Sequence, residues 1–177
     1  MPSPTTSTRR QMIAGVAIAF GSLAASSAVW GKTQEQTMKE VPSTAANRTR
    51  TALHQEIDFK ASSQRIYEVL LDAKQFAAFT GAPAEIDPKA GGAFSMFGGM
   101  IVGRNVELVP NQRIVQAWRA ASWSEGIYSV ARFELQAHDA SCRIVFDHTG
   151  IPSDEAKSLA EGWPSHYWEP LRKLLAT

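Results

Sequence analysis

The 177 residues suffice for one domain of ordinary size and not for two well-filled ones. Lys plus Arg number 18 against 17 Asp plus Glu, a balance that excludes a general electrostatic field for nucleic acid and any acidic tail. Cys142 is the one cysteine, which rules out an intramolecular disulfide and any metal site built on several thiolates, while five Trp supply bulk for a core.

Residues 1–31 read as a targeting segment. A Ser/Thr/Pro-rich start leads to Arg9-Arg10 and then to an uncharged stretch over 11–31. Positive charge ahead of a modestly apolar run is the export pattern, and paired arginines point to the twin-arginine route. The run is rich in Ala, Gly and Ser rather than Leu, which suits a cleaved signal, and small Ser26 and Ala28 fit cleavage after Ala28. The expectation is an exported, periplasmic protein that meets the membrane only through this segment during export. An uncleaved segment anchoring the protein is the alternative, since about 18 or more uncharged residues can span a bilayer. Residues 32–51 are polar, contain Pro42 and follow neither hydrophobic period, so they read as a linker ahead of a domain over 52–177.

Within that domain, Ile57 and Phe59 alternate with polar neighbours as a first strand. Ser62 or Ser63 caps a helix carrying Ile66, Val69 and Leu70, and Asp72 restarts a second short helix with Phe76 and Phe79, ended by Gly81 and Pro83. Strands follow over 84–87, 93–97, 100–109, 113–120, 127–136 and 141–148, with Gly98-Gly99 predicted as a hairpin turn. Tight turns between successive strands imply an antiparallel sheet. Ala131, Phe133 and Leu135 share one face, as do Cys142, Ile144 and Phe146, while Arg132, Glu134, Arg143 and Asp147 lie on the wet side.

The last segment is helical from a cap at Ser153, with Asp154 and Glu155 in its first turn. Ala156, Leu159, Trp163, Tyr167, Leu171 and Leu174 form one stripe at three- and four-residue steps. The stripe keeps phase through Gly162 and Pro164, which predicts one long helix with a kink, a break at Gly162 being the alternative. A curved sheet gripping that helix buries both apolar faces, so the predicted class is α+β with the helix-grip fold: a curved antiparallel sheet around a long C-terminal helix, with two short helices after the first strand.

Specific residues then add a resemblance. Phe79-Thr80-Gly81-Ala82-Pro83-Ala84, Gly91-Gly92-Ala93-Phe94, Ile114-Val115-Gln116-Ala117-Trp118-Arg119, Ser122-Trp123-Ser124-Glu125-Gly126, Gly150-Ile151-Pro152 and Glu161-Gly162-Trp163 with Tyr167-Trp168 occur in order. Together they resemble the C-terminal domain of the activator of heat-shock protein 90 ATPase, within the START/pollen-allergen-like (SRPBCC) superfamily. The resemblance implies the helix-grip fold and a groove between sheet and helix.

Aromatic residues on both the sheet and the facing helix make that groove a candidate small-molecule site, the alternative being that they form the core under the helix. Trp118 and Tyr167 are the first candidates for its wall, followed by Trp163, Phe133, Phe94 and Phe146. The four histidines, His54, His138, His148 and His166, show no metal-ligand spacing, and no nucleophile elbow, phosphate loop or dinucleotide fingerprint is present. No catalytic residue, metal or cofactor is assigned. Arg104, Glu107, Arg113 and Arg119 are expected to pair across the sheet. The expected function is non-catalytic: an apolar small molecule or lipid held in the groove, the alternative being a protein-interaction module of the co-chaperone kind.

Overall fold

The computed structural model describes residues 49–176, so the targeting segment and most of the linker lie outside the described residues. Strand β1 (Arg50–Phe59) starts within the last residues of that polar stretch, because Arg50 and Thr51 find partners opposite Pro152 and Ile151. Helix α1 (Ser63–Leu71) is capped by Ser62, whose hydroxyl accepts the Arg65 N–H. Asp72 stops α1 and caps α2 (Ala73–Thr80) by accepting the Gln75 N–H, and Gly81, in the left-handed region, ends it.

Strands β2 (Glu85–Ile86), β3 (Ala93–Met96), β4 (Ile101–Val109), β5 (Arg113–Ala120), β6 (Ser129–His138) and β7 (Ser141–Pro152) follow. They form one antiparallel sheet of order β1-β7-β6-β5-β4-β3-β2. The Gly98-Gly99 hairpin is not a two-residue turn. A short 3₁₀ turn (Phe97–Gly99) takes its place, with Phe97, Gly98 and Gly99 all at positive φ. That backbone sets the Phe97 ring against Phe76 and Tyr167. At the β4 bulge the buried Asn105 donates to the Asp87 carbonyl and accepts from Gln116, which leaves none of its polar groups stranded.

The alternation read from β6 and β7 holds. Ala131, Phe133, Leu135, Cys142, Ile144 and Phe146 are buried on the inner face. On the outer face Arg143 pairs with Glu56 and Asp58, His54 with Asp147, and Arg132 with Glu134. Of the four residues expected to pair on neighbouring strands, Arg113 reaches Glu107 and also Glu134. Arg119 instead donates to the Trp123 carbonyl and lies over the Tyr128 ring.

Ser153 does not cap the final helix. Its hydroxyl and its N–H both go to the Thr49 carbonyl, fixing the start of β1, and the helix opens after a turn closed by Glu155 N–H on Pro152. The helix then runs as α3 (Ala156–Trp163), a π turn (Pro164–Trp168) and α4 (Glu169–Leu175). Trp163, Pro164, Trp168 and Glu169 all keep helical dihedrals, so the chain bends without breaking. The Glu169 N–H reaches back five residues to the Pro164 carbonyl. This wider turn relieves the clash that the Pro170 ring would meet in a regular ladder. It also rotates the helix by about one residue, so adjacent Tyr167 and Trp168 both face the core. The predicted stripe held only one of them.

Candidate functional site

The space between the helix and the sheet divides into a filled end and an open one. Over β6 and β7, Phe133, Phe146, Trp163 and Trp168 interlock, with Phe146 4.3 Å from Trp163 and 4.9 Å from Phe133 between ring centroids. Phe94 is also consumed by packing. Its ring lies across Gly103, where a Cβ would stand 2.5 Å from Phe94 Cζ. Three of the six predicted wall residues, Phe133, Phe94 and Phe146, are therefore core and do not line the opening. Alternation identifies the buried face of a strand, and it carries no information on whether the space opposite is filled.

Beyond Trp163 the packing stops. A cleft of about 370 Å³ opens between α3, the end of β5 and the turn before β4, within the range of small-molecule sites. Trp118, Trp163 and Tyr167 form its inner wall, and Trp123, Phe97 and Leu159 close its sides. The room exists because Ala120, Ala121 and Gly162 contribute almost no side-chain volume. Met100, 63% exposed, stands at the mouth. Glu155 and His166 also border it, and no Lys or Arg does. The small-residue run after Trp118 and the glycine inside the helix were the signals for this opening.

A buried hydrogen-bond chain ties the cleft wall together. Indole N–H groups only donate, so the Trp163 N–H fixes His148 Nδ1 as the acceptor at 3.1 Å. The imidazole proton then sits on Nε2 and donates to Ser129 Oγ at 2.7 Å, and the Ser129 hydroxyl donates to the Trp118 carbonyl at 3.0 Å. Burial pushes His148 down to about 3, so the ring is neutral. A Ser–His contact of this length invites comparison with a catalytic dyad. Here the lone pair needed to take the serine proton is on the other nitrogen, occupied by Trp163, and both residues are sealed from solvent. The chain positions Trp118 and Trp163.

Two neighbouring indoles lack such partners. Trp168 donates to Gln55 at 2.6 Å, while the N–H groups of Trp118 and Trp123 are buried without a well-formed hydrogen bond. Each such omission costs about 1–3 kcal/mol. The two rings stand edge to face at 5.5 Å. Burial raises the Tyr167 phenol above its ordinary range, an effect that a weak hydrogen-bonding contact from the Trp118 side chain opposes. Its hydroxyl donates only to Met96 Sδ, at 3.5 Å, a weak acceptor. Among the described residues, no group of three or more His, Cys, Asp or Glu could hold a metal ion.

Comparison with known proteins places this architecture. Residues 60–176 match the family model described as activator of Hsp90 ATPase homolog 1-like protein. The chain is 30% identical over 115 residues to the activator of 90 kDa heat shock protein ATPase homolog 1 of Homo sapiens, covering 65% of this chain and 34% of that protein. The corresponding homolog of Dictyostelium discoideum is 33% identical over 116 residues, covering 65% and 30%. The chain thus spans about a third of the length of these relatives. Among solved structures, an HSP90 activator from Plasmodium falciparum superposes with a TM-score of 0.68 at 22% identity, over 71% of this chain and 96% of that one. The Aha1 dimer from Colwellia psychrerythraea gives 0.61 at 16% identity, over 71% and 96%. At these identities the structural likeness speaks for the fold. With two thirds of its length matched by the family model, the chain belongs to the activator of Hsp90 ATPase homolog 1-like family.

Proposed function

We propose that this domain is a non-catalytic binding module that takes a small, largely apolar molecule into the cleft between α3 and the β5 end of the sheet. The observation that carries this is the cleft itself: about 370 Å³ of mostly apolar space walled by Trp118, Trp163, Tyr167 and Trp123. Family membership supports either a ligand-holding helix-grip domain or a co-chaperone contact; fold alone does not choose between them. The test is a titration of the full chain with N-phenyl-1-naphthylamine, a neutral apolar fluorophore. The expected result is a saturable one-to-one rise in emission and a raised melting temperature, because a ligand held only by the folded state stabilises it by mass action. Trp118→Ala and Tyr167→Ala should weaken that binding, and Gly162→Leu, which fills the opening without cutting the core, should abolish it. Absence of saturable binding would remove the proposal.

The second reading is a protein-interaction module. It rests on the relatives named as Hsp90 ATPase activators and on exposed apolar side chains at Tyr128 and Val130. Tyr128→Ser with Val130→Thr would weaken association with an Hsp90-type ATPase and leave fluorophore binding intact. We further propose that residues 1–31 direct export, which N-terminal sequencing of the protein from fractionated cells tests.

A further inference from the structure

The arginines of the sheet divide into two sets. Arg113, Arg132 and Arg143 each hold carboxylates on the outer face. Among the described residues, Arg50, Arg104 and Arg119 pair with none: Arg50 donates to the Gly150 carbonyl and Arg119 to that of Trp123. Strand register brings this second set to one end of the face. Arg104 lies opposite Ala117, so it is the diagonal neighbour of Arg119 across β4 and β5, roughly 7 Å away. Like charges at that spacing repel. Glu85, outward on β2, is two strands from Arg104 and forms no ion pair with it. Between the cations the face is uncharged. Ala117, Val130, Thr149 and Ala52 stand in one row across β5, β6, β7 and β1. Val130 is 42% exposed and Tyr128, whose ring centroid lies 5.9 Å from Arg119 Cζ, is 48% exposed. The next row along, Val115, Arg132, Asp147 and His54, begins the neutralised end.

Charge complementarity fixes the sign of what this end would take. We infer that it docks an acidic segment of a partner protein, whose carboxylates pair with Arg104, Arg119 and Arg50 while an apolar side chain between them rests on Val130 and Tyr128. Arginine suits the role because its planar fork meets a carboxylate through two N–H groups. Arg119 and Arg50 stand on strands three places apart in the sheet, about 14 Å. An extended segment spans that with carboxylates about four residues apart. Arg50, Arg104 and Arg119 fall short of the basic cluster of about 4–8 residues that holds a chain on an anionic bilayer. The near-neutral chain also lacks the field that gathers nucleic acid. The inference is independent of the cleft. It rests on the interaction-module reading and states the chemistry of the partner.

The test is NMR titration of the full, ¹⁵N-labelled chain with a short peptide carrying two aspartates about four residues apart and valines between them. The same peptide with asparagines is the control. The aspartate peptide should bind roughly tenfold more tightly, lose affinity with added salt, and shift the amide signals of Arg104, Ala117, Val130 and Thr149. Arg104 is exposed and makes no side-chain hydrogen bond, so Arg104→Glu should fold normally and lower that affinity roughly tenfold. Arg143→Gln, at the neutralised end, should leave it unchanged, and neither substitution should alter naphthylamine binding in the cleft. Equal affinity for the two peptides, shifts centred on Arg132 and Arg143, or indifference to Arg104→Glu overturns the inference. Uptake of the chain by phosphatidylcholine vesicles containing phosphatidylserine, with no binding of the aspartate peptide, makes the face a membrane surface and also overturns it. If an Hsp90-type ATPase associates through Tyr128 and Val130 regardless of Arg104→Glu, the interaction reading stands and this inference falls. If neither the peptide nor the ATPase binds, both fall.

Discussion

The filled and open ends of the space beneath the final helix use the same kind of residue to opposite effect. At the filled end, Phe133, Phe146, Trp163 and Trp168 meet ring against ring, and the indole N–H groups find His148 and Gln55. At the open end, Trp118 and Trp123 meet each other and then face Ala120, Ala121 and Gly162. Neither indole N–H makes a well-formed hydrogen bond. Aromatic content does not separate the two ends. Whether the opposite wall supplies volume and a hydrogen-bond acceptor does.

The largest expected effect probes the packing half of that contrast. Phe146→Ala removes a fully buried ring held by four aromatic neighbours and should cost about 3–5 kcal/mol in urea unfolding. Leu159→Ala, whose side chain borders empty space, should cost clearly less. Equal losses would mean that the open end is as tightly packed as the other.

The next concerns His148, whose pKa burial lowers from 6.5 to about 3. The unfolded chain takes up this proton near 6.5, while the folded chain resists it until near 3. Stability therefore falls as pH drops through that window, on the order of 1 kcal/mol per pH unit. Asp58 is held low chiefly by its hydrogen bond to Arg143. In Glu134 burial raises the pKa, and the Arg132 and Arg113 hydrogen bonds more than reverse it. These two carboxylates lose their contributions only below their ordinary values of 3.8 and 4.5. His54, raised chiefly by its Asp147 hydrogen bond, titrates alike in both proteins. Between 6.5 and 4.5 the urea midpoint of His148→Gln should depend less on pH than that of the parent. Parallel slopes would locate the acid sensitivity elsewhere.

Gly162→Ala sharpens the open end. A Cβ there meets only His166 Cδ2, at 3.8 Å, so helix propensity should raise stability by up to about 1 kcal/mol. The same methyl narrows the cleft and should weaken fluorophore binding. A loss of stability would show that the space is closed. The smallest effect is expected on the outer face. Arg143→Gln breaks solvent-exposed pairs with Glu56 and Asp58 and should leave the urea midpoint unchanged within error.

The sequence disclosed the elements where a local cause acts alone. Ser62 and Asp72 cap helices through contacts three residues away, and Gly81 stops one by its own backbone freedom. Two-residue alternation gave the inner faces of β6 and β7, and the stripe through Trp163, Tyr167 and Leu171 gave the gripping face of the helix. Ser153 was misread because its partner, Thr49, is 104 residues away in sequence. His148 was passed over because only tertiary packing delivers Ser129 and Trp163 to its two nitrogens.

The candidate site divides along the same line. Trp118, Trp163 and Tyr167 were legible as wall residues because each lies on the apolar side of an element facing another apolar side. Phe133, Phe94 and Phe146 carry the same local signature and are filled in by distant rings or by the backbone at Gly103. By itself the sequence determined which faces turn inward, since periodicity follows from the geometry of a single helix or strand. Only the tertiary structure decided where the interior stays open and which indole N–H groups make a well-formed hydrogen bond. Those outcomes depend on volumes and hydrogen-bonding groups that segments far apart in the chain bring, or fail to bring, to the same place.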